Sequence, residues 1–118
     1  MLERQGSTSS KGLAIVEKYM QFVNYIYPIV INLSGRHHVF RDQLLTTAFN
    51  QVTLFNEAAK TTQASRIYIA DAGLATLREY LRFAAEPTRK CLSPRQHGVA
   101  ETILAETGGM LNVWLNKK

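Results

Sequence analysis

With 118 residues, the chain is long enough for one hydrophobic core and too short for two. Lysine and arginine outnumber aspartate and glutamate 14 to 9, giving a net charge of +5 and a pI near 9.6, which favours an acidic partner such as nucleic acid. The single cysteine, Cys91, excludes an internal disulfide and a cysteine zinc cluster, and it suits a reducing compartment, so a cytoplasmic location is expected. No apolar run reaches the roughly 18 residues of a spanning helix and no signal-peptide core is visible, so no membrane association is expected.

Residues 1–11, MLERQGSTSSK, are polar and serine-rich and read as a flexible tail before a folded domain at 12–118. A first helix is expected from a cap at Ser10 to about residue 33. It carries two apolar seams. Val16, Met20, Val23, Tyr27 and Val30 form one, and Ile15, Tyr19, Phe22, Ile26, Ile29 and Leu33 the other, so the helix should meet neighbours on two sides. Pro28 removes a backbone donor within this pattern and predicts either a kink or two shorter helices. Ser34 and Gly35 then break the period.

A second helix, from about residue 38 to 60, carries Leu45, Ala48, Val52, Phe55 and Ala59 at three-four spacing. The short Thr61–Thr62 connection forces a third helix, about 63 to 85, to run antiparallel to it. Ile67, Ala70, Leu74, Leu77, Leu81 and Ala84 form its stripe, and Ala70, Ala72, Gly73 and Ala75 make its first half narrow enough for another backbone to approach. Glu86, Pro87 and Thr88 end it. Ser93 followed by Pro94 marks the start of a fourth helix reaching about residue 116, with Ala100, Leu104, Thr107, Leu111 and Trp114 as its stripe. Gly108 and Gly109 weaken that helix or mark a close neighbour. The expected fold is all-α, an antiparallel up-and-down four-helix bundle.

Catalytic motifs are missing from these helices. No glutamate is followed by histidine three residues on, which argues against a di-iron bundle. Adjacent His37 and His38 point about 100° apart on a helix and read as a solvated helix start. His97 and Glu101, one turn apart, read as a surface ion pair. Cys91 beside Lys90 reads as a loop thiol, since no base is placed to activate it. No metal, no cofactor and no catalytic residue is expected.

What remains is surface charge. Arg78 and Arg82 lie one turn apart on the third helix, where like charges repel by a few tenths of a kcal/mol unless something acidic intervenes. Arg78, Arg82 and Arg89 fall on one stripe begun by Asp71, with Arg66 and Lys90 on the same helix or the loop after it. Spacing alone leaves two readings open. One is a solvated face balanced by Glu79 and Glu86, with Arg82 paired to Glu86; the other is a surface that tracks a phosphate backbone together with Arg36, Lys60 and Arg95. Tyr68 and Tyr80 are the candidate stacking aromatics, with packing the blander role for both.

The runs VEKYMQFVNYIYPIV, FNQVTLFNEAAKTTQASRIYIADAGLATLREYLRFA and ILAETGGMLNVWL closely resemble the accessory variability determinant proteins of diversity-generating retroelements. These lie within the wider family of four-helix proteins encoded in intervening sequences of bacterial 23S rRNA. The resemblance runs from about Val16 to Trp114. Tyr25, Ile26, Tyr27 and Pro28, and Asp71 to Ala75 followed by Leu77, Arg78, Leu81 and Arg82, are its most specific parts. It implies a barrel-like homopentamer of four-helix protomers that catalyses nothing itself. It also implies binding to the element's reverse transcriptase and to template RNA and DNA in support of mutagenic retrohoming. Arg78 and Arg82 match basic positions that such proteins use for these contacts; Arg36, Lys60, Arg66, Arg89, Lys90 and Arg95 are inferred from charge. The serine-rich start matches nothing in the family, and the end at Lys117 and Lys118 lacks a longer basic tail, which predicts weaker nonspecific affinity. The alternative is a ribosomal-RNA-associated bundle with no reverse-transcriptase partner.

Overall fold

The computed structural model describes residues 6–61 and 63–116. Its helices are α1 (Gly6–Ile31), α2 (His38–Ala59), α3 (Ala64–Ala85) and α4 (Pro94–Asn116), with a 3₁₀ turn at Gly35–His37 leading into α2. Among the described residues α1 packs on α2, α2 on α3, α3 on α4 and α4 back on α1, with no close backbone approach across either diagonal. This is the up-and-down four-helix bundle that the four periodic segments predict.

Two boundaries differ from expectation. Helix α1 begins at Gly6, so the second half of the expected tail is helical and Ser10 lies inside the helix instead of capping it; residues 1–5 lie outside the described residues. No proline interrupts residues 6–13, and serine costs a helix only a few tenths of a kcal/mol, so continuation toward the packed segment is cheap. At the other end, α1 runs through Pro28 as one helix, and the division into two does not occur. Pro28 is exposed, and Asn32 Nδ2 donates to its carbonyl at 2.8 Å.

The start of α4 follows its local chemistry closely. Ser93 Oγ accepts from the Gln96 N–H at 3.1 Å, and Gln96 Oε1 accepts from the Ser93 N–H at 3.0 Å, a reciprocal capping box ahead of Pro94. The preceding loop is tied to α3 by the Leu92 N–H donating to the Ala84 carbonyl at 3.0 Å. Lys90 takes φ 54, a left-handed conformation that costs roughly 1 kcal/mol away from glycine and reverses the chain there.

The α3 stripe is buried as predicted from Ile67 to Ala84, and so are Ala100, Leu104, Thr107 and Leu111 of α4, with Trp114 half-buried. From α1 the inner seam supplies Ile15, Tyr19, Phe22 and Ile26, joined by Val23 and Val30 of the other seam. Tyr19 stands at the centre: its ring meets Phe55 edge-on at 5.2 Å and Phe22 at 5.6 Å, and its hydroxyl donates to the Ala48 carbonyl. Burial pushes that phenol far above its ordinary pKa, so it stays protonated and a donor. On α2 the innermost residues are Leu44, Ala48, Gln51, Phe55 and Ala58. The predicted stripe was rotated by one position at Leu45, Val52 and Ala59, which are only half-buried, because a polar residue, Gln51, occupies the core face.

Gln51 sets the register of α2 against α3. Its Nε2 donates to the Ala70 carbonyl at 2.7 Å, and a Cβ placed on Gly73 would fall 2.0 Å from its Oε1. The narrow half of α3 is therefore a slot for this amide. In an antiparallel pair locked there, Phe40 lies opposite Phe83, Gln43 opposite Tyr80 and Glu57 opposite Arg66, and all three pairs touch. Gly73→Ala should cost about 1–3 kcal/mol by overpacking, although alanine is the better helix former. In a Gln51→Ala background only the 3.2 Å approach to Leu54 Cδ1 remains, so the same change should cost at least about 1 kcal/mol less. Urea unfolding of the four proteins measures this coupling, and equal costs in both backgrounds would mean that Gln51 does not fill the slot.

Candidate functional site

An up-and-down bundle gathers the chain's turns at its two ends. One end holds the C-termini of α1 and α3, the N-termini of α2 and α4, and the loops between them. Arg36 lies in the 3₁₀ turn, Arg82 in the last turn of α3, Arg89 and Lys90 in the following loop, and Arg95 in the first turn of α4. Five of the eight basic residues singled out from the sequence therefore share this end. Arg36, Arg82 and Arg89 line one groove of about 780 Å³ between the start of α2 and the end of α3, whose floor includes Phe40, Tyr80 and Phe83.

The other three lie elsewhere. Lys60 and Arg66 sit at the opposite end of the α2–α3 hairpin, where Arg66 Nη1 reaches Glu57 Oε1 at 3.5 Å. At the helical rise, Arg66 is about 24 Å from Arg82 along the axis. Arg78 lies between, and its Nε donates to Glu101 Oε2 of α4 at 2.9 Å. Sequence spacing could not separate these groups, because it reports neither the neighbouring helix nor the end of the bundle.

The repulsion expected between Arg78 and Arg82 is relieved within the molecule. Arg78 pairs across to Glu101, and Arg82 pairs back to Glu79, not to Glu86 as expected. Glu86 is taken differently. At the C-cap of α3 its carboxylate accepts from the Thr88 N–H at 3.2 Å and the Thr88 hydroxyl at 3.1 Å, bonds that hold its pKa below the ordinary value and keep it ionised at neutral pH. The expected stripe through Arg89 also fails, because α3 stops at Ala85. Arg89 instead folds back: its Nε donates to the Phe83 carbonyl at 2.9 Å, and its guanidinium lies 3.7 Å from the centre of the Phe83 ring.

Among the described residues Arg36, Arg89, Lys90, Arg95 and Lys60 make no ion pair, whereas Arg66, Arg78 and Arg82 each have one. Four of these five free cations lie at the grooved end. Guanidinium groups without an internal acidic partner are the ones able to pair with an external anion at low desolvation cost.

His37 and His38 sit at the helix start as expected, His38 Nδ1 lying 2.9 Å from the Gly35 carbonyl. His97 and Glu101 do not form the expected ion pair: Glu101 is drawn to Arg78, and His97 Nε2 is buried without a hydrogen-bond partner among the described residues. Cys91 is buried, and burial raises its thiol pKa even though Arg89 and Arg36 pull the other way, so it is not an activated nucleophile. No group of three or more His, Cys, Asp or Glu side chains is placed to hold a metal among the described residues, and no described helix is long and apolar enough to cross a membrane.

Of the proposed stacking aromatics, Tyr68 is exposed toward the opposite end, and Tyr80 borders the groove with its hydroxyl accepting from Gln43 Nε2 at 3.3 Å. Phe40 and Phe83 were missed. Their rings lie 5.1 Å apart across the hairpin, and Phe83 is 44% exposed, yet nothing in their spacing links them.

A family model described as bAvd-like matches residues 13–118, most of the chain. No curated protein matches the sequence.

The Arg78–Glu101 bond predicts a structural role for Arg78. Glu101 Oε1 is buried without a partner, so removing Arg78 leaves a partly buried carboxylate uncompensated. Arg78→Ala should lower stability by about 1–2 kcal/mol, and adding Glu101→Gln should restore most of it. Thermal melts of the two variants decide this; an unchanged single variant would mean that the pair is only a solvated contact.

Proposed function

The chain belongs to the bAvd-like family, and we propose that it serves as a noncatalytic, cytoplasmic accessory protein of a diversity-generating retroelement. It binds the element's error-prone reverse transcriptase and the template RNA or its DNA copy, and so supports mutagenic retrohoming. The observation that carries this reading is the family match together with the concentration of unpaired cations, Arg36, Arg89, Lys90 and Arg95, at one end of the bundle. Such a surface binds a polyanion by counterion release, without needing base contacts.

The assembly implied by the family resemblance is a homopentamer. The apolar arc of α1 is wider than one bundle interior uses. Tyr27 and Ile31 are each 42% exposed, and Tyr27 meets Phe49 of α2, itself 46% exposed, at 6.2 Å. Together these side chains form an apolar patch on the α1–α2 face, of the kind protomer contacts cover.

Light scattering should therefore find an oligomer at micromolar concentration, and Tyr27→Glu with Phe49→Glu should shift it toward the monomer. A monomeric parent protein would refute the assembly. For the cationic end, replacing Arg36, Arg89, Lys90 and Arg95 by Glu should leave the helical content intact while abolishing RNA binding and lowering complementary-DNA synthesis with the co-encoded reverse transcriptase. Binding of the parent should weaken steeply with salt, with a log–log slope of roughly −3 on single strands if all four cations meet phosphates. A flat salt response, or synthesis that proceeds equally well without the protein, would overturn the reading.

A further inference from the structure

Phe40, Phe83 and Arg89 form a continuous contact in the groove: the two rings meet at 5.1 Å, tilted by 32°, and the guanidinium lies over the Phe83 ring at 3.7 Å. The Arg89 plane is held in place twice, by the Phe83 ring beneath it and by its Nε bond to the Phe83 carbonyl. A long side chain immobilised in this way has already lost the rotamer freedom that binding would otherwise remove. The groove's volume, about 780 Å³, is within the range of roughly 300–1,000 Å³ typical of sites that take a small molecule, and so admits a single nucleotide.

Its charges suit an anion. Arg36, Arg82 and Arg89 outnumber the two carboxylates of its lining, Glu79 and Glu86; Arg82 is paired to Glu79, and Arg36 has no ion pair among the described residues. We infer that the groove takes an unpaired nucleotide of a single-stranded nucleic acid, its base stacked on the Arg89 plane backed by Phe83 and Phe40, its phosphate met by Arg36. This rests on the nucleic-acid binding proposed above and adds to it a preference for single strands. Phosphate contacts alone would take a duplex as readily, whereas a stacking platform needs a base free of its partner.

The test compares three probes on the intact protein: an oligoadenylate, an abasic oligonucleotide of the same length, and a blunt hairpin duplex. The parent should prefer the oligoadenylate over the abasic strand by about tenfold, the worth of one stacked base. Arg89→Lys keeps the charge and removes the plane, so it should abolish that preference, oligoadenylate and abasic strand then binding alike. Phe83→Leu keeps an apolar side chain at that position and should act in the same direction, with circular dichroism confirming the fold. The inference fails if the parent binds oligoadenylate and abasic strand alike, or if Arg89→Lys retains the preference; salt-dependent binding of all three probes would then leave the broader reading standing. If no probe binds and only the reverse transcriptase is retained, the groove is a protein contact, and the inference falls together with the nucleic-acid half of the proposed function.

Discussion

The amide of Gln51, laid into the slot above Gly73 and bonded to the Ala70 carbonyl, sets the geometry on which the rest of this bundle depends. Apolar stripes hold helices together but tolerate sliding, because one leucine packs nearly as well as the next. A buried hydrogen bond does not tolerate it. A slip of one turn would leave the Gln51 amide donor unpaired in the core at a cost of about 1–3 kcal/mol, and would press a side chain into the space that Gly73 leaves open. The α2–α3 register that results brings Phe40 beside Phe83 and Gln43 beside Tyr80 far up the hairpin, and so builds the floor of the groove.

Placement of charge follows from the same register. Arg66 is opposite Glu57, and the α3–α4 contact brings Arg78 against Glu101, so two conspicuous arginines are spent within the fold. The cations left over sit where helices end and make no ion pair among the described residues. A belt of surface ion pairs with mostly unpaired cations at one end is a different object from the even basic stripe that spacing suggests. It localises the attraction for a polyanion to one end of the molecule, next to the aromatic residues.

Local signals carried much of the architecture. Ser93, Pro94 and Gln96 mark the start of α4 through backbone chemistry confined to four residues, and the three-four spacing of Ile67 through Ala84 identifies the buried face of α3 without error. On α2 the same reasoning slipped by one position, since a stripe counted from apolar residues passes over a buried glutamine. The candidate site was legible in part. Arg36, Arg82 and Arg89 were identifiable as basic residues, but Phe40 and Phe83, separated by 43 positions and joined only through the hairpin, carried no shared pattern.

By itself the amino-acid sequence determined that this protein is built of helical segments forming a bundle, which faces of α3 and α4 are buried, that the chain is basic, and which family it resembles. Each of these depends on interactions within a few turns of helix or on composition. Only the tertiary structure decided which arginines are neutralised and which are free, that Glu86 serves Thr88 and not Arg82, that Arg89 folds back over Phe83, and that a groove exists at all. Those outcomes depend on ångström-scale distances between side chains on different helices, and the register that sets them is a property of the packed pair, invisible in either helix alone.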